Sequence, residues 1–186
     1  MHIEGGDGEA EWLTSLREPQ SKERAFTGLM RTFQEPLYAH IRRMVGNHED
    51  TDDVLQVTFI KAWKYLDGFR GDSKIKTWLF KIATNEALTH LSKRQKQIQD
   101  PLADIANHIE HSHAGLEMAD EGDVIQLKLE EAVNRLPSKQ KQVFVLKYYD
   151  ELTYEEMADV LGGSVGSLKA SYHHAVKKIE LFLTTD

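Results

Sequence analysis

Apolar residues recur along this chain at intervals of three and four, and no β-branched run alternates with polar positions between turn residues, so the sequence predicts helices throughout. The expected fold class is all-α. Pro36 suits the first turn of a helix running through Arg43, and Thr51 with Asp52 and Asp53 predicts a cap and dipole-favourable acids for the next. On that second helix Leu55, Phe59, Ala62 and Leu66 form one stripe of buried positions. Gly68 and Gly71 bracket a short loop, after which Asp72 or Ser73 caps a long helix reaching about Lys96. Within it Ile75, Leu79, Ile82 and Leu91 face inward, whereas Lys74, Thr77, Lys81 and Asn85 share one polar face.

The second half repeats the helical spacing with clearer punctuation. Val124 to Arg135 predicts a helix ended by Pro137, and Ser138 caps another through Tyr148. Thr153-Tyr154-Glu155-Glu156 has the form of a capping box, in which Thr and Glu satisfy two free amides at a helix start. That helix turns Met157, Ala158 and Leu161 inward and ends at Gly162-Gly163, where a positive φ costs little. Ser164 then caps a helix with Val165, Leu168, Tyr172 and Ile179 on its apolar side. Two short helices, a small Ala at their crossing and a Gly-containing turn make a helix-turn-helix, whose second helix enters the DNA major groove. Its candidate reading face is Lys169, Ala170, His173 and Lys177 with Ser167, Ser171 and His174 alongside, and Lys177 and Lys178, further along, are placed to touch phosphate. A plain αα-hairpin with a solvated lysine face is the competing reading.

Charge divides the chain where hydropathy does not. The formal net charge is −7 over 186 residues, which opposes polyanion binding if spread evenly. It is not: from Gln97 to Asp123 there are seven acids and no Lys or Arg, whereas Val54 to Lys96 carries nine cations against three acids, about +6 locally. The expected organisation is a tail and first short helix over 1–20, a basic helical module over 21–96, an acidic flexible linker over 97–123 and a second helical module over 124–186. Leu102, Ile105 and Ile109 give the linker some helix-like spacing. Cysteine is absent, which excludes disulfides and thiolate chemistry and fits the cytoplasm. No apolar run reaches the about 20 residues that span a bilayer, and the acidic Gly-rich start does not read as a secretion signal, so no membrane insertion is expected.

The motifs Asp52 to Trp63, Phe69-Arg70-Gly71-Asp72-Ser73 and Thr77 to Asn85 resemble regions 2.2 to 2.4 of extracytoplasmic-function sigma factors, of the sigma-70 family. Leu136-Pro137, Tyr154 to Ala158 and Ser164 to Lys169 resemble region 4, in the expected order. The resemblance implies a bacterial transcription-initiation factor without catalytic residues or cofactors, whose partners are core RNA polymerase, promoter DNA and an anti-sigma factor. Asp52, Asp53, Gln56, Phe59 and Trp63 would dock on the clamp helices of the largest polymerase subunit, although Phe59 and Trp63 also read simply as core. Region 4 would meet the polymerase flap. The Phe69–Ser73 loop would cradle a base flipped from the −10 element, with Lys74, Lys76, Thr77, Lys81 and Asn85 behind it. Binding energy would then melt the duplex, since extruding a base costs a few kcal/mol. Trp78 and Phe80 could stack on bases or belong to the core. The linker would thread toward the polymerase active-site cleft and RNA exit channel, or serve as an ordinary tether. Region 4 would read the −35 element. Family members commonly carry Arg where this chain has Ser171 and His174, so its −35 contact is expected to be weaker, differently specified or sensitive to pH through His173 and His174.

Two other readings compete. A stand-alone helix-turn-helix regulator would need a dimer interface and an effector domain, and the first module has neither a heptad seam nor a ligand-pocket signature. A metal site would rest on His108, His111 and His113 with Glu110 and Glu117, a cluster in a flexible linker that falls short of a rigid four-ligand site, and no metal is expected.

Overall fold

The computed structural model describes residues 12, 14–16, 18, 20–98 and 121–185, and every regular element among them is helical. Helix α1 spans Lys22–Val45, α2 His48–Tyr65, and α3 Ile75–Ile98; α4 spans Glu121–Asn134, α5 Ser138–Phe144, α6 Tyr154–Leu161, and α7 Val165–Thr185. The linker's histidine cluster, its Leu102, Ile105 and Ile109, and the chain's acidic start lie outside the described residues.

Helices α1, α2 and α3 pack on one another through the apolar stripes read from the sequence. Leu55, Phe59, Ala62 and Leu66 are buried, as are Ile75 and Leu79, while Ile82 and Leu91 are half-buried. Two starts differ from expectation. Pro36 lies inside α1 rather than opening it. The buried series Phe26, Leu29, Phe33, Leu37, Ile41 and Met44 runs on both sides of it, so packing of a continuous apolar face outweighs the hydrogen bond that proline cannot donate. Helix α2 begins four residues upstream of the expected cap: Asn47 Oδ1 accepts from the Asp50 amide at 2.8 Å, and Thr51 is fully buried inside the helix with its hydroxyl donating to the Asn47 carbonyl. Asn competes as well as Thr for a cap, and here its side chain reaches the free amide first. Polar contacts then fasten α2 to α3: Lys61 pairs with Glu86 at 2.6 Å, and Asp50 pairs with Arg94 at 2.9 Å and lies 3.0 Å from His90 Nε2.

In the second module Ser138 is the first residue of α5 rather than its cap, Pro137 standing at the cap position without a side-chain bond, and the helix then widens into a π-helical stretch over Val145–Tyr149. It ends at Glu151, whose φ of 58° is left-handed, with the Leu152 amide donating back to the Leu146 carbonyl at 3.0 Å. The capping box forms as read: Thr153 Oγ1 accepts from the Glu156 amide and Glu156 accepts from the Thr153 amide. Gly162 and Gly163 end α6 at φ 74° and 88°, and Ser164 Oγ caps α7 by accepting from the Ser167 amide at 3.2 Å.

The two modules are in contact. Val143, Leu146, Leu152, Met157, Val160 and Leu168 belong to the same buried cluster as the first module's core, and a smaller cluster of Ala132, Val133, Leu136, Phe144, Val145, Ala175 and Ile179 joins α4, α5 and α7.

Candidate nucleic-acid interface

The loop between α2 and α3 is built to stand out from the surface. A 3-10 turn over Leu66–Gly68 leads into it, Gly71 takes φ 82°, and Arg70 and Asp72 are about four-fifths exposed and pair with each other at 3.2 Å. Phe69 anchors its base: its ring meets Trp78 with centroids 4.9 Å apart. Both rings are half-buried, so Trp78 supports the loop. Phe80 is 1% exposed against His40 and is core, which removes it as a platform for a base.

The polar face of α3 is divided by the second module. Lys81 and Asn85 are exposed. Thr77 is 1% exposed, and its hydroxyl is buried without a hydrogen-bond partner. Lys74 Nζ lies 3.0 Å from Glu156 Oε1, and Lys76 Nζ donates to the Asp150 carbonyl at 2.9 Å. The face foreseen from spacing is therefore one surface in sequence and two environments in the fold, because α6 packs on the start of α3. Glu156 feels both sides of this junction. Burial pushes its carboxyl up, but bonds from the Thr153 amide, Lys74 and the Thr153 hydroxyl, with the Lys74 charge, hold it below the ordinary value.

Helix α7 keeps together the face expected to read DNA. Ser167, Lys169, Ala170, His173, His174, Lys177 and Lys178 are exposed and Ser171 is half-buried, while Leu168, Ala175 and Ile179 turn inward. Lys169 lies over the Tyr154 ring at 5.5 Å, which ties the reading helix to α6.

A third surface lies on α2. Asp52, Asp53 and Gln56 are exposed, but Phe59 is 6% exposed against Phe26 and belongs to the core stripe, leaving that face. Trp63 is shared, with one edge on Phe26 and 38% of its surface open. Spacing singled out the buried stripe and so passed over Val57 and Ile60, which are 38% and 60% exposed beside Gln56. Their signal was a pair of branched apolar residues off the core stripe.

Comparison with known proteins decides between the readings. Residues 29–97 match the family described as Sigma-70 region 2, and residues 126–179 that described as Sigma-70, region 4. The RNA polymerase sigma-H factor of Pseudomonas aeruginosa is 32% identical over 88% of this chain and 89% of its own, and the SigW factor of Bacillus subtilis 31% identical over 80% and 83%. This chain belongs to the extracytoplasmic-function sigma factors. Such a sigma factor directs promoter-specific initiation by RNA polymerase and is not an enzyme, and the stand-alone regulator is not favoured. Its fold is similar to those of RpoE from Bartonella quintana, solved with the anti-sigma factor NepR (TM-score 0.71, 24% identity, 87% of this chain and 98% of that one), and of CnrH, solved with the cytosolic domain of CnrY (0.69, 22%, 95% and 99%). Among its described residues, no helix is long and apolar enough to cross a membrane.

Proposed function

We propose that this sigma factor reads its promoter at two places. The module over 21–96 takes the −10 element, with the Phe69–Ser73 loop receiving a flipped base and Lys74, Lys76, Thr77, Lys81 and Asn85 tracking the displaced strand. The module over 124–186 reads the −35 element through Ser167, Lys169, Ala170, Ser171, His173 and His174, with Lys177 and Lys178 on phosphate. The observation that carries this reading is the pairing of an exposed, glycine-turned loop on an aromatic base with a separate helix whose polar face is exposed at all of these positions but the half-buried Ser171. A single helix-turn-helix has no use for the loop.

Asp52, Asp53 and Gln56 on α2, with the exposed part of Trp63, meet the clamp helices of the largest polymerase subunit, and the second module meets the flap. The residues over 97–123 tether the two modules, and the factor works in the bacterial cytoplasm. An anti-sigma factor holds it inactive, as the similar folds captured with NepR and with CnrY suggest for this chain.

The experiment is runoff transcription from a promoter library with core polymerase. Specific starts that vanish with Asn85→Ala or Lys169→Ala support the reading, whereas tight duplex binding without core and without transcripts overturns it.

A further inference from the structure

The contact between the modules has a polar centre. His40, on α1 and fully buried, places Nδ1 2.6 Å from Asp150 Oδ2 and Nε2 3.0 Å from Thr84 Oγ1 on α3. A carboxylate only accepts, so Nδ1 carries the proton it donates, and Nε2 shares a hydrogen bond with the Thr84 hydroxyl, which can donate or accept. One ring thus ties α1, α3 and the turn before α6, joining residues 110 apart in sequence. The Asp150 carbonyl also accepts from Lys76, and Lys74 pairs with Glu156 one turn into α6.

This packing conflicts with simultaneous use of the two reading surfaces. Elements named −10 and −35 lie about 25 base pairs apart, roughly 85 Å along a duplex at about 3.4 Å per base pair. Helix α7 adjoins α6, α6 rests on α3, and a helix of 21 residues is only about 30 Å long. The modules must separate to span that distance. Meanwhile the packed state takes Lys74 and Lys76 into contacts with the second module.

We propose that the His40–Asp150 pair is an intramolecular latch: it holds the second module over the start of α3, masks part of the −10 surface in the free factor, and opens when core polymerase draws the modules apart. A buried carboxylate bonded to an imidazole suits a latch, because it strongly disfavours any arrangement that buries either partner without the other. The latch rests on the assignment of α3 to the −10 strand, and it regulates that site.

The absence of cysteine allows a clean test. Donor and acceptor dyes on Glu23→Cys and Glu180→Cys, both exposed positions on different modules, report closure by energy transfer without reference to DNA. Binding of a randomised single-stranded 20-mer pool reports access to α3. Asp150→Ala is expected to lower transfer and to tighten single-strand binding about tenfold or more, since apparent affinity scales with the open fraction. Asp150→Asn, which keeps the shape and loses the charge, should move both readouts the same way by less, and serves if the alanine variant loses helix by circular dichroism. Core polymerase should lower transfer in the parent chain. Transfer unchanged in both variants overturns the latch, and lowered transfer with unchanged single-strand affinity overturns masking. Loss of runoff transcripts from the parent chain would instead remove the promoter assignment, whatever the transfer shows.

Discussion

Lys74 and Glu156 meet at 3.0 Å across the module boundary, so the carboxylate that caps α6 also holds a cation of the proposed −10 surface. A single residue therefore links the second module's local folding to the first module's exposure. Because the folded carboxyl titrates below its ordinary value of 4.5, its contribution is complete above that value and is lost as pH falls through the depressed one. Acidification below about pH 4.5 should weaken α6 and the contact together. Urea melts at stepped pH check this, and Glu156→Gln should flatten that part of the profile.

Thr77→Val should stabilise the free factor. Its hydroxyl is buried without a partner, an arrangement that costs about 1–3 kcal/mol, and valine fills the same volume without that penalty. A gain of about 1 kcal/mol in denaturant unfolding, together with weaker binding to single-stranded −10 DNA, is the expected pairing. A loss of stability would show that the hydroxyl is satisfied in solution.

How far the sequence carried can be seen around this same junction. Thr153, Glu156 and the Gly162-Gly163 stop were legible because each needs only neighbours within four residues. The Leu55 to Leu66 stripe was legible because a helix repeats its own period. Pro36 and Thr51 misled, since both obey a local rule that packing and a better cap at Asn47 override. His40 and Asp150 gave no local signal at all: a lone histidine on an apolar face and an acid after a helix acquire meaning only when the fold brings them together. For the same reason the single polar face expected from Lys74, Thr77, Lys81 and Asn85 proved divided, with Lys81 and Asn85 exposed and Thr77 buried, which local spacing could not reveal.

The turn of the helix-turn-helix should resist substitution. Gly163 has φ 88°, and a Cβ there would stand 3.4 Å from Ser167 Oγ, ordinary contact, so the cost of Gly163→Ala is backbone strain rather than collision. About 1 kcal/mol of stability should be lost. Duplex −35 binding should weaken in parallel, and both are measurable on the same preparation.

On α7 two kinds of contact should separate by salt. Lys169→Ala is expected to cost about 1–3 kcal/mol on the best −35 sequence and little on others, because base-edge contacts discriminate. Lys178→Ala should weaken all duplexes alike and reduce the slope of log affinity against log salt by about 0.9. Ser171→Arg and His174→Arg, restoring the residues common in the family, should raise affinity. Titrating each variant against two duplexes at three salt concentrations distinguishes these patterns.

Ile60 tests the polymerase face independently of DNA. It is 60% exposed on α2 and is not part of the buried core, so Ile60→Glu should change unfolding free energy by no more than about 0.5 kcal/mol. An exposed branched side chain beside Gln56 and Val57 gains most when a partner covers it, and a charge there must be desolvated without compensation. Core polymerase should therefore bind the variant at least about tenfold more weakly, equivalent to about 1.4 kcal/mol, while binding to single-stranded DNA stays unchanged. Equal core affinity for the parent and the variant would place the polymerase contact on another face of α2, and the exposed acids Asp52 and Asp53 are the next positions to reverse.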